Sequence, residues 1–362
     1  MFSAEYVRLG AQCVRCPPVH EVAIVISDLY LSEEATADVV ALPGLEHVAR
    51  FGRRASAVGG WRAWLARRVR EGAERALAPA ATVAAVGLEI NQQRASPAST
   101  VWMATPVHLI TSLTSLHLDR RGVVRLPPED QALLAAEFQR IFHDSGFALH
   151  PLATGDFLLS APSVPLAEIS EPARSMGENL ALGMSGSSGA PALRRLRAEI
   201  EMWLHDHPVN DARARRGELP VTGLWLWGGG SVPDSARIPS APTDTHDCFF
   251  GSDAFLRGLC AAIGANALDA PAELAAIFRY ARAQRAMLVI EISPLLHSNP
   301  QWSFWEALAH IDQNFVVPAL AALNRGDIRR VVVVANDREL TVRARDRLKI
   351  WRSARRGLSG LQ

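Results

Sequence analysis

The sequence predicts an α/β fold: a mostly parallel sheet flanked by helices, with an inserted α+β cap. Three observations carry this. Continuous apolar, β-branched runs (VAIVIS at 22–27, MLVIEISP at 287–294, RRVVVVAND at 329–337) lie at both ends of the chain, as expected of strands buried on both faces. Amphipathic helical patterns separate them. The middle of the chain instead shows alternating polarity in a β-β-α-β-β order.

In chain order, VAIVIS ends at Asp28, a polar group at a strand's carboxyl edge. GWRAWLARRVREGAERAL (60–77) has apolar positions at helical spacing with arginines on the other face. TVAAVGLEI (82–90) reads as another buried strand. VWMATPVHLI (101–110) and SLTSLHLD (112–119) read as paired strands. PPEDQALLAAEFQRIFHDSG (127–146) reads as a helix with Pro-Pro at its start and Gly at its end. FALHPLATGDFLLSAP (147–162) reads as a hairpin, and MSGSSGAP (184–191) as a flexible connector. Leu193, Leu196, Ile200 and Trp203 share one helix face, and SFWEALAHIDQNFVVPALAAL (303–323) is a long amphipathic helix. The expected organisation is an arm (1–20), a core (21–98 and 222–352), the cap (99–221) and a tail (353–362).

With 49% hydrophobic and 21% charged residues, the composition is that of a globular protein. The 38 basic against 37 acidic residues leave a net charge of +1, which gives no footprint for nucleic acid or a membrane surface. The first twenty residues lack the order of a secretory signal, and no apolar run reaches a membrane span. A cytoplasmic protein is expected. Cys13 and Cys16 form a CxxC that His246 and Cys248 would extend towards a zinc set. The second half is not a close cysteine pair, so reduced thiols are preferred.

HPVNDARARRGELPVTGLWLWGGG (207–230) resembles a segment of archaeal-type cofactor-independent phosphoglycerate mutases, members of the alkaline phosphatase superfamily. Together with ATPVHLITSLTSLHLD (104–119) it looks like the RpfE-type regulatory proteins, a bacterial family related to those mutases. The resemblance covers roughly residues 80–350 and implies an alkaline phosphatase-like core. It further implies two divalent metals, manganese or zinc, and a serine that becomes phosphorylated. Two cations would hold the phosphoryl oxygens and lower the serine pKa for in-line attack.

Residue by residue, that pattern is incomplete. Asp28 matches the first metal-binding aspartate, but Leu29 follows where the family has glycine. No segment resembles the turn bearing the nucleophile; Ser56 is the nearest serine and reads as a surface residue. His297 is what remains of an Asp-plus-two-His segment, and Ser293-Pro294 stands in place of its acid. The Asp-His-Gly turn is here Asp337-Arg338-Glu339. Arg338 would therefore either block a metal or neutralise Asp337 as a buried pair. The candidate metal ligands are thus Asp28, Asp337 and His297.

The candidate ligand-binding residues are His207, Asn210, Arg213 and His108, with Arg216 as a further phosphate fork. The plainer reading makes His207-Pro208 a helix end, Asn210 a cap and the arginines solvent-facing. For His108 it is a hydrogen-bonded core histidine. Gly228, Gly229 and Gly230 suit either a phosphate or a strand-end turn. Trp225 and Trp227 share a strand face, for packing or for stacking a ligand. The favoured function is a non-catalytic or regulatory relative of the mutases that requires no cofactor and binds a phosphorylated metabolite or a protein partner. The alternative is an active metal-dependent mutase or phosphohydrolase.

Overall fold

The computed structural model describes residues 19–31, 40–69, 79–86, 100–111, 115–161, 169–177, 180, 191–231, 247–279 and 285–348. Strand β1 (Glu21–Ile26) is central to a seven-stranded sheet. On one side it pairs in parallel with β10 (Arg285–Ile290), which pairs with β8 (Asp247–Phe250), and that with β9 (Ala267–Leu268). On the other it pairs in parallel with β11 (Arg330–Ala335). Beyond β11 the pairing changes: β12 (Arg338–Arg343) runs antiparallel to β11, and β2 (Arg53–Ser56) antiparallel to β12.

The sheet is therefore mixed, and the reversal has a local cause. Asn336 and Asp337 have φ of 49° and 56°, and Ala335 pairs with Arg338 across them. That is a two-residue hairpin turn whose central residues are both left-handed, a conformation Asn and Asp tolerate well. The aspartate that ends RRVVVVAND is thus a turn residue.

Side-chain alternation explains why these strands read as continuous apolar runs. Val22, Ile24 and Ile26 join Val331 and Val333 in one core; Ala23 and Val25 join Val332 and Val334 in another. The first core is covered by α1 (Pro43–Phe51) and by a helical run through α9 (Phe304–Ile311) and α10 (Val317–Arg325). The second is covered by α2 (Gly60–Val69) and α7 (Ala254–Ala262).

A π-helical turn, Asp312–Val316, joins α9 to α10. Asp312 is fully buried there and accepts from Gly44 N at 2.9 Å and Leu45 N at 2.7 Å. It caps α1, whose own N-cap residue Leu42 has no side-chain acceptor. Asp312→Ala is expected to cost about 1–2 kcal/mol, because two N–H groups at the start of α1 lose their acceptor. Urea denaturation would show it as a lower midpoint.

The second sheet is antiparallel throughout. Its longest strand, β3 (Thr100–Thr111), pairs with β4 (Leu116–Val123), β6 (Phe157–Ala161) and β7 (Gly223–Ser231), and β6 pairs with β5 (Ala148–Pro151). One face packs Trp102, Ala104, Leu224 and Leu226 against α4 (Pro128–Ile141) and α5 (Pro191–His205). The other packs Val101, Met103 and Trp227 against α3 (Ala80–Val86) and Ala254. Helix α3 is therefore a wedge between the two sheets.

Two expectations change here. The strand expected over 82–90 is helical through Val86, and 87–90 lie outside the described residues. A short alanine-rich apolar run suits a helix buried all round as well as a strand. The LWLW strand, placed by sequence in the core segment from 222, hydrogen-bonds along β3 and belongs to the second sheet. Its glycines lie within the strand under α3. A Cβ on Gly230 would fall 2.3 Å from Thr82 Oγ1, so the residue there has to be glycine for α3 to pack closely. Among the described residues no helix is long and apolar enough to cross a membrane.

Candidate functional site

The carboxyl ends of the core strands meet the second sheet at a cluster of ionic groups. Asp28 follows β1, Glu291 follows β10, Asp253 lies beyond β8 as the N-cap of α7, and Asp337 sits in the β11–β12 turn. Opposite them come Arg125 and Asp156 from the second sheet's loops, Arg62 from α2, and Glu171 and Arg174 from the segment 169–177.

Asp28 accepts from Ile292 N at 2.7 Å, Ser293 N at 2.8 Å and Ser293 Oγ at 2.8 Å. It thereby holds the start of the short helix α8 (Ser293–Ser298). Asp337 is gripped by both terminal nitrogens of Arg174, at 2.6 and 2.8 Å. This fork is the strong geometry for an arginine–carboxylate pair. The same guanidinium stacks on the Tyr30 ring, 4.5 Å from its centroid. Gly60, at φ +79°, lets α2 begin beside the pair, since a Cβ there would lie 3.0 Å from Arg174 Nη2.

Glu171 accepts from Tyr30 OH at 2.6 Å and pairs with Arg62. Arg62 lies between the rings of Trp61 and Trp227, 4.3 and 4.6 Å from their centroids. Burial works against its charge, but Glu171 and Asp253 outweigh that and hold it firmly protonated. Burial, and then the Glu171 charge, push the Tyr30 phenol well above its usual range. Arg125 bridges Asp156 and Glu291, so one guanidinium ties the second sheet to the end of β10. Burial pushes Glu291 up to about 7; Arg125 opposes the shift, and Asp253, Asp28 and Asp156 add to it.

His297, on α8, reaches the end of β4. Its Nε2 donates to Val123 O at 2.6 Å, and burial lowers its pKa. Asp28 and Asp337 are thus committed to protein partners, and His297 is held through Nε2. Among the described residues no group of three or more His, Cys, Asp or Glu is arranged to hold a metal ion. Arg338 is exposed, and the cation on Asp337 is Arg174, not Arg338.

The 207–230 candidates serve structure. His207 caps α6 (Pro208–Arg215), accepting at Nδ1 from Val209 N at 3.1 Å, while its Nε2 lies 2.6 Å from Glu137. Asn210 is not the N-cap of α6 but closes the end of α5. Its Nδ2 donates to Leu204 O and Val221 O, and its Oδ1 accepts from Val221 N. Arg213, only 3% exposed, does not face solvent: it donates to Leu219 O at 2.8 Å and reaches Asp130 at 3.3 Å. Arg216 shares Asp130 and Glu218 with it. His108 Nδ1 donates to Pro220 O at 3.0 Å, binding β3 to the same staple.

Trp227 Nε1 donates to Thr105 Oγ1, and Trp225 Nε1 to Ser170 O. Ser56 is exposed on the edge strand β2. Cys13, Cys16 and His246 lie outside the described residues, and Cys248 is a free thiol on β8.

Sequence reasoning missed Arg62, Arg125, Asp156, Glu171, Arg174, Asp253 and Glu291. Two signals were available. Glu291 interrupts an apolar strand run, and Arg62 sits within GWRAW, where a buried helix face carries a charge. A charged residue in an apolar environment needs a partner.

No family model matches the chain. A stretch of 90 residues is 33% identical to the 2,3-bisphosphoglycerate-independent phosphoglycerate mutase of Thermoplasma volcanium. That stretch is homologous to the mutase. It takes in 25% of this chain and 22% of the mutase's length. Among solved structures, the cofactor-independent phosphoglycerate mutase of Thermoplasma acidophilum aligns over 90% of both chains, with a TM-score of 0.36 and 17% identity. The PH0037 protein of Pyrococcus horikoshii aligns over 90% of this chain and 87% of its own, with a TM-score of 0.45 and 12% identity.

Proposed function

We propose that this chain is a non-catalytic, regulatory relative of the cofactor-independent phosphoglycerate mutases, with an alkaline phosphatase-like core and a degenerate metal site. In this reading it is a cytoplasmic protein of the RpfE-type regulatory kind that engages a phosphorylated metabolite or a protein partner. The homologous stretch supports the kinship. The observation that carries the loss of chemistry is the state of the strand-end carboxylates. A two-metal centre needs free carboxylate and imidazole lone pairs converging on each ion. Here Arg174 forks Asp337, and three donors occupy Asp28. Among the described residues the two strand-end carboxylates are not free to hold a metal pair.

The homology itself favours a second reading, an active metal-dependent mutase or phosphohydrolase. Metal analysis of the purified protein, with mutase and phosphatase assays in added manganese, decides between them. The expected result is no stoichiometric metal, no turnover, and a Tm that chelator leaves unchanged. Stoichiometric metal with turnover that Asp28→Asn abolishes would overturn the non-catalytic reading.

A further inference from the structure

The segment 169–177 lies across the strand-end cluster and is tied down at both ends. Gly177 N donates to Leu118 O at 2.9 Å, Leu118 and Met176 form a bridge, and Trp225 Nε1 donates to Ser170 O at 2.8 Å. Between these ties two side chains reach the cluster: Arg174 to Asp337, and Glu171 into a cradle made mainly by other elements, with Arg174 Nε 3.3 Å from its Oε1. Tyr30 OH addresses Glu171 Oε1, Arg62 addresses Oε2, and Trp61 and Trp227 flank the guanidinium. The Glu171 side chain is 8% exposed. An arginine fixed between two indoles, with a phenol donor beside it, is an arrangement that binds an anion's oxygens. Here a side chain of the chain itself fills it.

We propose that this cradle is a binding site for a small organic carboxylate, and that Glu171 is an intramolecular occupant which such a ligand displaces. A carboxylate fits because the Tyr30 phenol and the Arg62 guanidinium address different oxygens of one planar group, with Arg174 Nε beside the first. A phosphate dianion fits less well, because Asp253 lies 3.5 Å from Arg62 Nη2 and already supplies negative charge. The proposal goes beyond the reading of the mutase homology and does not depend on whether the chain catalyses anything.

Acetate is the probe, because Glu171→Ala removes a group of its size. About 100 mM sodium acetate is expected to raise the Tm of Glu171→Ala by about 3 °C over sodium chloride of equal ionic strength, after subtracting the wild type's own smaller difference. Adding Tyr30→Phe removes most of that rise. In the wild type, acetate speeds amide hydrogen exchange across 169–177 relative to chloride. A folded Glu171→Ala with equal Tm in the two salts overturns the proposal. If that variant does not fold, wild-type exchange that acetate leaves unchanged overturns it. A larger shift with inorganic phosphate than with acetate overturns the carboxylate assignment.

Discussion

Replacing Arg125 by methionine is expected to destabilise the protein by about 3–5 kcal/mol, because it leaves Asp156 and Glu291 buried without their shared cation. The loss should depend on pH. In the folded protein Glu291 titrates at about 7, above its usual 4.5. A raised carboxyl pKa means that the folded state binds the proton more tightly than the unfolded chain does. Its contribution to stability is therefore complete below about 4.5 and is lost as pH rises through about 7. Without Arg125 the carboxyl titrates higher still, so the variant's deficit should grow between pH 6 and pH 8. Urea denaturation of both proteins across that range measures it, and Glu291→Gln should flatten the pH dependence. A deficit equal at both ends of the range would show that Arg125 and Glu291 are not coupled.

Asp28→Ala is the second large effect, expected at about 2–4 kcal/mol. It leaves Ile292 N and Ser293 N without an acceptor at the start of α8 and deprives Ser293 Oγ of its partner. Asp28→Asn keeps one acceptor oxygen and should lose about half as much. The readout is the denaturation midpoint at unchanged m. This assigns Asp28 a structural role at the position where the resemblance to the mutases implies a metal ligand.

How much could be read beforehand follows from the range of each interaction. The strands β1, β10 and β11 were legible because a strand between two helical layers needs apolar residues at successive positions, and β-branched residues supply them. The antiparallel hairpin was not. The turn Asn336-Asp337 resembles any polar strand end until Leu340 and Val342 are seen to pack as its returning strand. Helix α3 was misread because its identity depends on what it wedges between, Gly230 on one side and α7 on the other. At the site, Asp28 and Asp337 were visible as acids ending apolar runs. Their partners were not, because Ser293 and Arg174 come from remote parts of the chain. In the 207–230 segment the sequence marks out His207, Asn210, Arg213 and Arg216 but not their partners. What they contact, Glu137, Asp130 and the Pro220 carbonyl, decides that the segment is a staple.

The pairing of β1 also bears on how the chain reaches this structure. Ser27 donates to Ile290 O across 263 residues of sequence, and β1 must find both β10 and β11 as neighbours. On a ribosome, β1 emerges long before either, and its apolar faces and unpaired backbone edges wait without partners while the whole second sheet is made. That sheet closes over shorter loops, so it has the kinetic advantage of local contacts. The expected order is therefore the reverse of the chain's own: the middle consolidates first, and the central strand is incorporated late. A slow final folding phase, and a nascent chain that needs shielding from aggregation, are the consequences of placing the first strand at the centre of the sheet.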